Sequence, residues 1–339
     1  MAEKINILVV EDNLVMQHYI KAAITANDDY HIQGIVADGL EAVEQARTLC
    51  PDIILLDLFL PGIDGIEVIK RVMASEPCPI VVISSELDRN DRDLSFEAQK
   101  AGAVDVLPKP KGMQPKDFDA FVDQLSSTIR ITSQIKVAGK RLKTRTMEPP
   151  SQLPYVLDLD FELLLIGSST GGPAALYRLL ESIAPDFSYS VVVAQHMASG
   201  FTEGLCQWLG KTGCKVKIAQ NGEFMQPGVV YLAEDDRHIV VGANRRLLQL
   251  EMKATFTPSV DKLFLSAADR FNGKMCAAIL TGMGSDGTEG MQALHHKGVF
   301  TIAESQDSCV IFGMPKAAIA SGAIKSILHL DEIAAILAR

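Results

Sequence analysis

A serine, a histidine and an aspartate each stand just past an apolar run in the second half of this 339-residue chain. Ser169 lies in "GSSTGG" after "ELLLIG", His196 follows "YSVVVAQ", and Asp286 lies in "GMGSDG" after "CAAILT". Such a trio can run acyl transfer. A serine hydroxyl needs a base to take its proton during attack. The imidazole that serves needs an acid at its other nitrogen to fix the tautomer and stabilise the cation. Pro173 suits a first helical turn, and the loop before it would offer free backbone N–H groups to a phosphate or a developing oxyanion. "GSSTGG" misfits the dinucleotide fingerprint, because Ser169 occupies the place where a glycine lets the backbone approach a pyrophosphate. No Gly-Lys-Ser/Thr follows, so it is not a Walker A loop. A second chemistry competes nearby. Gly282, Gly284 and Gly287 match Gly-x-Gly-x-x-Gly between a strand pattern and a helix pattern, and Glu304 ends the next strand where a ribose-binding acid would belong. Asp286 would add a negative charge to that loop. On spacing alone three readings stay open: a hydrolase, a dinucleotide-binding output, and a non-catalytic binding output whose polar residues only cap helices.

The first half of the chain gathers acids. Glu11 and Asp12 follow "INILVV", Asp57 is the aspartate of "IILLDL", Ser84 is the first serine of "IVVISS", and Lys109 ends "VDVLPK" before Pro110. In a parallel sheet these strand ends lie together. Three carboxylates in one pocket repel, so each resists ionising. A hard divalent cation removes the conflict, and Mg²⁺ favours oxygen ligands. A lysine beside them can bind the oxygens of a phosphoryl group. Any one of these residues could simply cap a helix, but capping does not account for all five positions together.

Positioning these groups requires parallel sheets. Residues 1–130 alternate apolar strands with amphipathic helical patterns, which implies right-handed crossovers. Residues 159–339 repeat the logic, with "KVKIAQNG", "GVVYLAED", "HIVVGA" and "LLQLEM" closely spaced and without helices between them. That block predicts hairpins added to an otherwise doubly wound α/β domain. Residues 131–158, with Pro149, Pro150 and Pro154, read as a linker. Net charge is −10 over residues 1–130, +3 over 131–158 and −3 over 159–339, so neither large segment supplies the basic surface a nucleic-acid reader needs. The six cysteines are scattered without a Cys-x-x-Cys pair, and the histidines form no metal cluster, which argues against disulfide and zinc frameworks. No apolar run approaches the roughly 20 residues that span a bilayer. The N-terminus starts a strand at once, so a cytoplasmic protein without membrane insertion is expected.

Residues 4–130 resemble the receiver domain of two-component response regulators through the ordered set "VVEDN", "DLFLPGIDG", "ISS" and "KP". The resemblance implies a flavodoxin-like fold in which Asp57 accepts a phosphoryl group from a histidine kinase. Glu11, Asp12, Asp57 and the backbone carbonyl of Phe59 would hold Mg²⁺, and Ser84 and Lys109 would contact the phosphoryl oxygens. Val106 stands where many receivers carry a switching aromatic ring; phosphorylation itself does not need one. Residues 159–339 resemble the catalytic domain of chemotaxis protein-glutamate methylesterases, the CheB family, through "IGSSTGGP", "QHM" followed by "GFT", "PSVD", "LTGMGSDG" and "SCVIFGMP". This implies a Rossmann-like domain in which Ser169 is the nucleophile, His196 the base and Asp286 its acid, with the backbone N–H of Met283 in the oxyanion hole. The implied substrates are glutamyl methyl esters, and certain glutamines, on chemoreceptors, hydrolysed without a cofactor. The unphosphorylated receiver would then block the esterase cleft. Ser168 replaces a common alanine, Ala198 a frequent proline and Ser285 a frequent asparagine; none of these removes a triad group.

Overall fold

The structure is a computed structural model that describes residues 4–84, 89–110, 115–133, 135, 160–252 and 256–338. The chain divides into two compact units, Met1–Gln152 and Leu153–Arg339. Apart from residues 131–133 and 135, the expected linker 131–158 lies outside the described residues.

In the first unit, β1 (Ile5–Val10), α1 (Leu14–Thr25), β2 (Tyr30–Val36), α2 (Gly39–Leu49), β3 (Ile53–Leu56), α3 (Gly65–Ser75), β4 (Ile80–Ser84), α4 (Arg89–Ala101), β5 (Asp105–Pro108) and α5 (Pro115–Thr132) follow in turn. The sheet order is β2-β1-β3-β4-β5, and every pairing is parallel. Alternate strand residues feed two cores. Leu8, Ile54, Leu56 and Val82 face one, and Ile7, Val9, Ile53 and Leu55 face the other. Burial on both faces explains why β3 reads as the unbroken run Ile-Ile-Leu-Leu. Asn13, Asp38 and Asp64 accept hydrogen bonds from the first-turn N–H groups of α1, α2 and α3, which sets where those helices begin. The strand order reverses between β1 and β3, where Glu11 and Asp57 emerge.

The second unit contains β6 (Leu163–Ser168), α6 (Gly172–Ser182), β7 (Ser190–Gln195), α7 (Thr202–Gly210), β8 (Lys215–Ile218), β9 (Val229–Leu232), β10 (His238–Val241), β11 (Leu247–Leu250), α8 (Val260–Arg270), β12 (Met275–Ile279), α9 (Thr288–His296), β13 (Phe300–Glu304), α10 (Met314–Ala320), β14 (Ser326–Leu328) and α11 (Leu330–Leu337). Seven strands form one parallel sheet in the order β14-β13-β12-β6-β7-β9-β8. The hairpin expectation holds for β10 and β11, which pair antiparallel. It fails for β8 and β9, which run parallel and extend the main sheet. Their connection avoids a tight turn by crossing to the end of the hairpin, where Gly222 N–H donates to Leu247 O and Leu247 N–H to Glu223 O. The chain leaves β6 first toward β7 and later returns to β12 on its other side. The carboxyl ends of β6, β7 and β12 therefore surround the switch point.

Candidate functional site

In the first unit, Glu11 is fully buried and Asp57 nearly so. Carboxylate oxygens of Glu11, Asp12 and Asp57 lie within 4.8 Å of one another. Lys109 reaches in from the end of β5, its Nζ 2.6 Å from Asp57 Oδ2 and 2.9 Å from Glu11 Oε2. One cation against three acids leaves the pocket negative. Burial, and then the charge of Asp57, push the Glu11 carboxyl up to about 7 against the pull of Lys109. Oxygen donors with uncompensated negative charge fit a hard divalent cation. Phe59 follows two residues after Asp57, and its N–H reaches Asp57 Oδ1 at 3.4 Å. The pairing of Leu56 with Val82 carries buried Ser84 one residue past the level of Asp57 on the neighbouring strand. Val106 packs partly buried against the core.

In the second unit, the pairing of Ser168 with Gln195 at the ends of β6 and β7 brings Ser169 and His196 out side by side. Asp286 arrives from the loop after β12. His196 Nε2 lies 2.7 Å from Asp286 Oδ2, with both side chains 8% exposed. The carboxylate accepts, so the ring proton sits on Nε2 and the lone pair on Nδ1. Nδ1 is buried and has no hydrogen-bond partner among the described residues. Ser169, half-buried, does not hydrogen-bond to it in this structure. Such a gap is usual before substrate binds.

Asp286 is held by a device that sequence reasoning missed. Ser259 caps α8, and the carboxylate sits at that helix start. Ser259 Oγ and Asp261 N–H donate to Oδ1 at 3.0 Å each, and Val260 N–H donates to Oδ2 at 2.7 Å. Burial opposes the charge, yet the bonds from His196, Asp261 and Val260 outweigh it and hold the carboxyl well below the usual carboxylate range. His238, fully buried, accepts Ser259 N–H at Nδ1, 2.9 Å away, and donates from Nε2 to Met252 O. Burial lowers its pKa, which keeps it neutral for that role. Phe256 stacks on the His196 ring, centroids 4.6 Å apart and planes at 4°. "PSVD" carried the Ser259 signal without its role; nothing local marked Phe256.

The loop at Gly282 closes over the serine. Ser169 N–H donates to Thr281 O at 3.0 Å, and a Cβ on Gly282 would lie 2.6 Å from Ser169 Cβ. Met283 N–H follows directly and has no partner among the described residues. A free donor beside a nucleophile is what an oxyanion requires. Glu304, the candidate ribose ligand, is fully buried and accepts Thr281 N–H at 2.8 Å. It braces this loop and presents no carboxylate to a ligand. With Asp286 committed to His196, the dinucleotide reading loses both its acid and its neutral loop.

Residues 164–337 match the family model for the CheB methylesterase, and residues 7–117 match that for the response regulator receiver domain. The protein-glutamate methylesterase/protein-glutamine glutaminase 4 of Myxococcus xanthus is 37% identical over 98% of this chain and 96% of its own. The corresponding Halalkalibacterium halodurans protein is 35% identical over 98% and 97%. Among solved structures, the Thermotoga maritima CheB methylesterase catalytic domain is 37% identical, with a TM-score of 0.50, over 52% of this chain and 97% of that one.

Proposed function

The chain belongs to the CheB methylesterase family, with a receiver domain ahead of the catalytic unit, and we propose that it hydrolyses glutamyl methyl esters on chemoreceptors when that receiver is phosphorylated. It is a hydrolase of the protein-glutamate methylesterase/protein-glutamine glutaminase type. The observation that carries the site assignment is His196: its Nε2 is tied to Asp286, and its Nδ1, beside Ser169, is buried with no partner among the described residues and so is available as a base.

Ser169 Oγ attacks the ester carbonyl as its proton passes to His196 Nδ1. Asp286 stabilises the imidazolium through Nε2, and Met283 N–H receives the oxyanion. The tetrahedral adduct collapses, His196 returns the proton to the departing methoxy group, and methanol leaves an acyl-serine. Water, deprotonated by His196, attacks that ester and frees a glutamate and Ser169. With a glutamine substrate the same steps release ammonia. These steps need only side chains and backbone.

In the receiver, Asp57 takes the phosphoryl group from a chemotaxis histidine kinase. Glu11, Asp12, Asp57 and the Phe59 carbonyl would hold Mg²⁺, which when bound neutralises the oxygens that gather there. Lys109, and Ser84 on β4, bind the phosphoryl oxygens. No described helix is long and apolar enough to cross a membrane, and we place the protein in the cytoplasm, beside the cytoplasmic helices of its substrates.

The test is methanol release from methylated receptors. Ser169→Ala should abolish it; release at the wild-type rate rejects the assignment.

A further inference from the structure

We infer that Gln195 is a positioning residue for this reaction, a bracket that locks the nucleophile's strand end to the base's strand end. The inference rests on the esterase reading above. The ladder between β6 and β7 ends at the pair Ser168 and Gln195. Beyond it both chains turn out of the sheet, so Ser169 and His196 lie where regular strand pairing no longer sets their separation. His196 N–H still donates to Ser168 O at 2.9 Å, but the carbonyls of Ser169 and His196 have left the ladder.

The Gln195 side chain replaces the missing rungs. Its Nε2 donates to Ser169 O at 2.8 Å and to His196 O at 2.7 Å. Its Oε1 accepts the Ser168 hydroxyl at 2.6 Å. Both carbonyls can only accept, so the amide must turn its NH₂ to them, and only the oxygen remains for the serine. Gln195 is 5% exposed and Ser168 fully buried. A buried amide with every partner in place resists displacement, because losing one leaves an unsatisfied polar group in a low-dielectric interior. The packing leaves the amide one location. A Cβ on Gly172 would fall 2.0 Å from Oε1 and 2.9 Å from Ser168 Cβ, so glycine at the start of α6 makes room for the bracket. The Ser168 hydroxyl adds the third bond.

Each backbone that Gln195 holds carries a reacting side chain. Ser169 Oγ must approach His196 Nδ1 from a structure in which they are not yet bonded, and a misplacement near 1 Å costs about 10²-fold in rate. A residue that only filled the core would affect stability and leave the turnover of folded protein unchanged.

The experiment measures methanol release from methylated receptors by full-length protein. It compares wild type with Gln195→Met, which removes the amide at similar length, Gln195→Glu, which keeps the acceptor and loses both donors, and Ser168→Ala. Near-ultraviolet circular dichroism at the assay temperature gives the folded fraction. We expect kcat per folded molecule to fall about 10- to 100-fold in both Gln195 variants, with KM within about twofold of wild type. Ser168→Ala should lose about threefold, because the two donor bonds remain; it also serves if the Gln195 variants do not fold. The inference is overturned if kcat per folded molecule stays within about threefold of wild type in the Gln195 variants, or if KM rises while kcat holds. If those variants do not fold, a wild-type rate for Ser168→Ala overturns it. Ser169→Ala, assayed in parallel, separates the two claims: a wild-type rate there rejects the esterase reading, while a dead Ser169→Ala beside an active Gln195→Met rejects only the bracket.

Discussion

Replacing Asp286 by asparagine probes the site at its most constrained point. The carboxylate has four acceptor positions, and four donors fill them: His196 Nε2 and Val260 N–H on Oδ2, Ser259 Oγ and Asp261 N–H on Oδ1. Asparagine brings one oxygen and one NH₂ to the same space. With the oxygen toward His196, the ring keeps its tautomer, but the NH₂ faces the Asp261 N–H. With the oxygen toward Asp261, the NH₂ faces Val260 N–H and forces the His196 proton onto Nδ1, where it can no longer accept from Ser169. Either orientation opposes one backbone donor at the start of α8 and should cost about 1–3 kcal/mol of stability. The kinetic loss is larger. In the better orientation the imidazolium formed during attack still loses its counter-charge. A unit charge about 4 Å away at an effective dielectric near 20 is worth about 4 kcal/mol, or roughly 10³-fold in rate. In the other orientation no base remains. Asp286→Asn should therefore lower kcat for methanol release by at least about 10³-fold. Its urea midpoint should fall only modestly, by the amount that about 1–3 kcal/mol implies. The linkage has a definite sign: this carboxyl's pKa is depressed on folding, so its stabilising contribution is present above the ordinary carboxylate range and is lost as pH falls through the depressed value. The stability gap between variant and wild type should accordingly narrow in strong acid. A folded variant with kcat within about tenfold of wild type would refute the argument, because the charge at Nε2 would then not be supporting the base.

Three further outcomes follow from neighbouring groups. Asp57→Ala should abolish labelling by a small phosphodonor in the presence of Mg²⁺; label retained at wild-type stoichiometry would move the acceptor elsewhere. Asp261 accepts Gly290 N–H at 2.8 Å, and burial, joined by the charge of Asp286, pushes its carboxyl up to about 6. A raised acid pKa means that ionisation destabilises the fold. The penalty is absent below the ordinary value near 4 and fully present above about 6. Asp261→Asn keeps the acceptor for Gly290 and should raise stability at pH 8 by up to about 2 kcal/mol, with no gain near pH 3.5, as followed by thermal unfolding at the two pH values. No gain at pH 8 would remove the penalty from the account. Phe256→Ala should lower kcat about three- to tenfold by freeing the His196 ring, since an aromatic stack contributes about 0.5–1.5 kcal/mol, while Phe256→Tyr stays near wild type; an unchanged Phe256→Ala rate would make the stack incidental.

The chain by itself determined where chemistry could reside. Apolar runs long enough for one strand, each ending in Ser169, His196, Asp57 or Glu11, are local patterns, and a parallel sheet gathers its carboxyl ends whatever the details of packing. The same locality explains why β8 and β9, which pair parallel, read in the sequence as hairpin strands. Close spacing without a helix is a local signal, while the partner of a strand is chosen by the whole sheet. Only the tertiary structure decided which imidazole nitrogen of His196 faces a carboxylate and which is left open, because that depends on Asp286 reaching His196 across 90 residues of chain. It also decided that Asp286 is clasped by the start of α8, that Glu304 is a buried brace for the Met283 loop, and that Gln195 ties two strand ends together. Side-chain amides and carboxylates find such partners only once the sheet has closed and excluded water. Before that, solvent satisfies the same donors and acceptors equally well, and no sequence pattern distinguishes the residues that will be left inside.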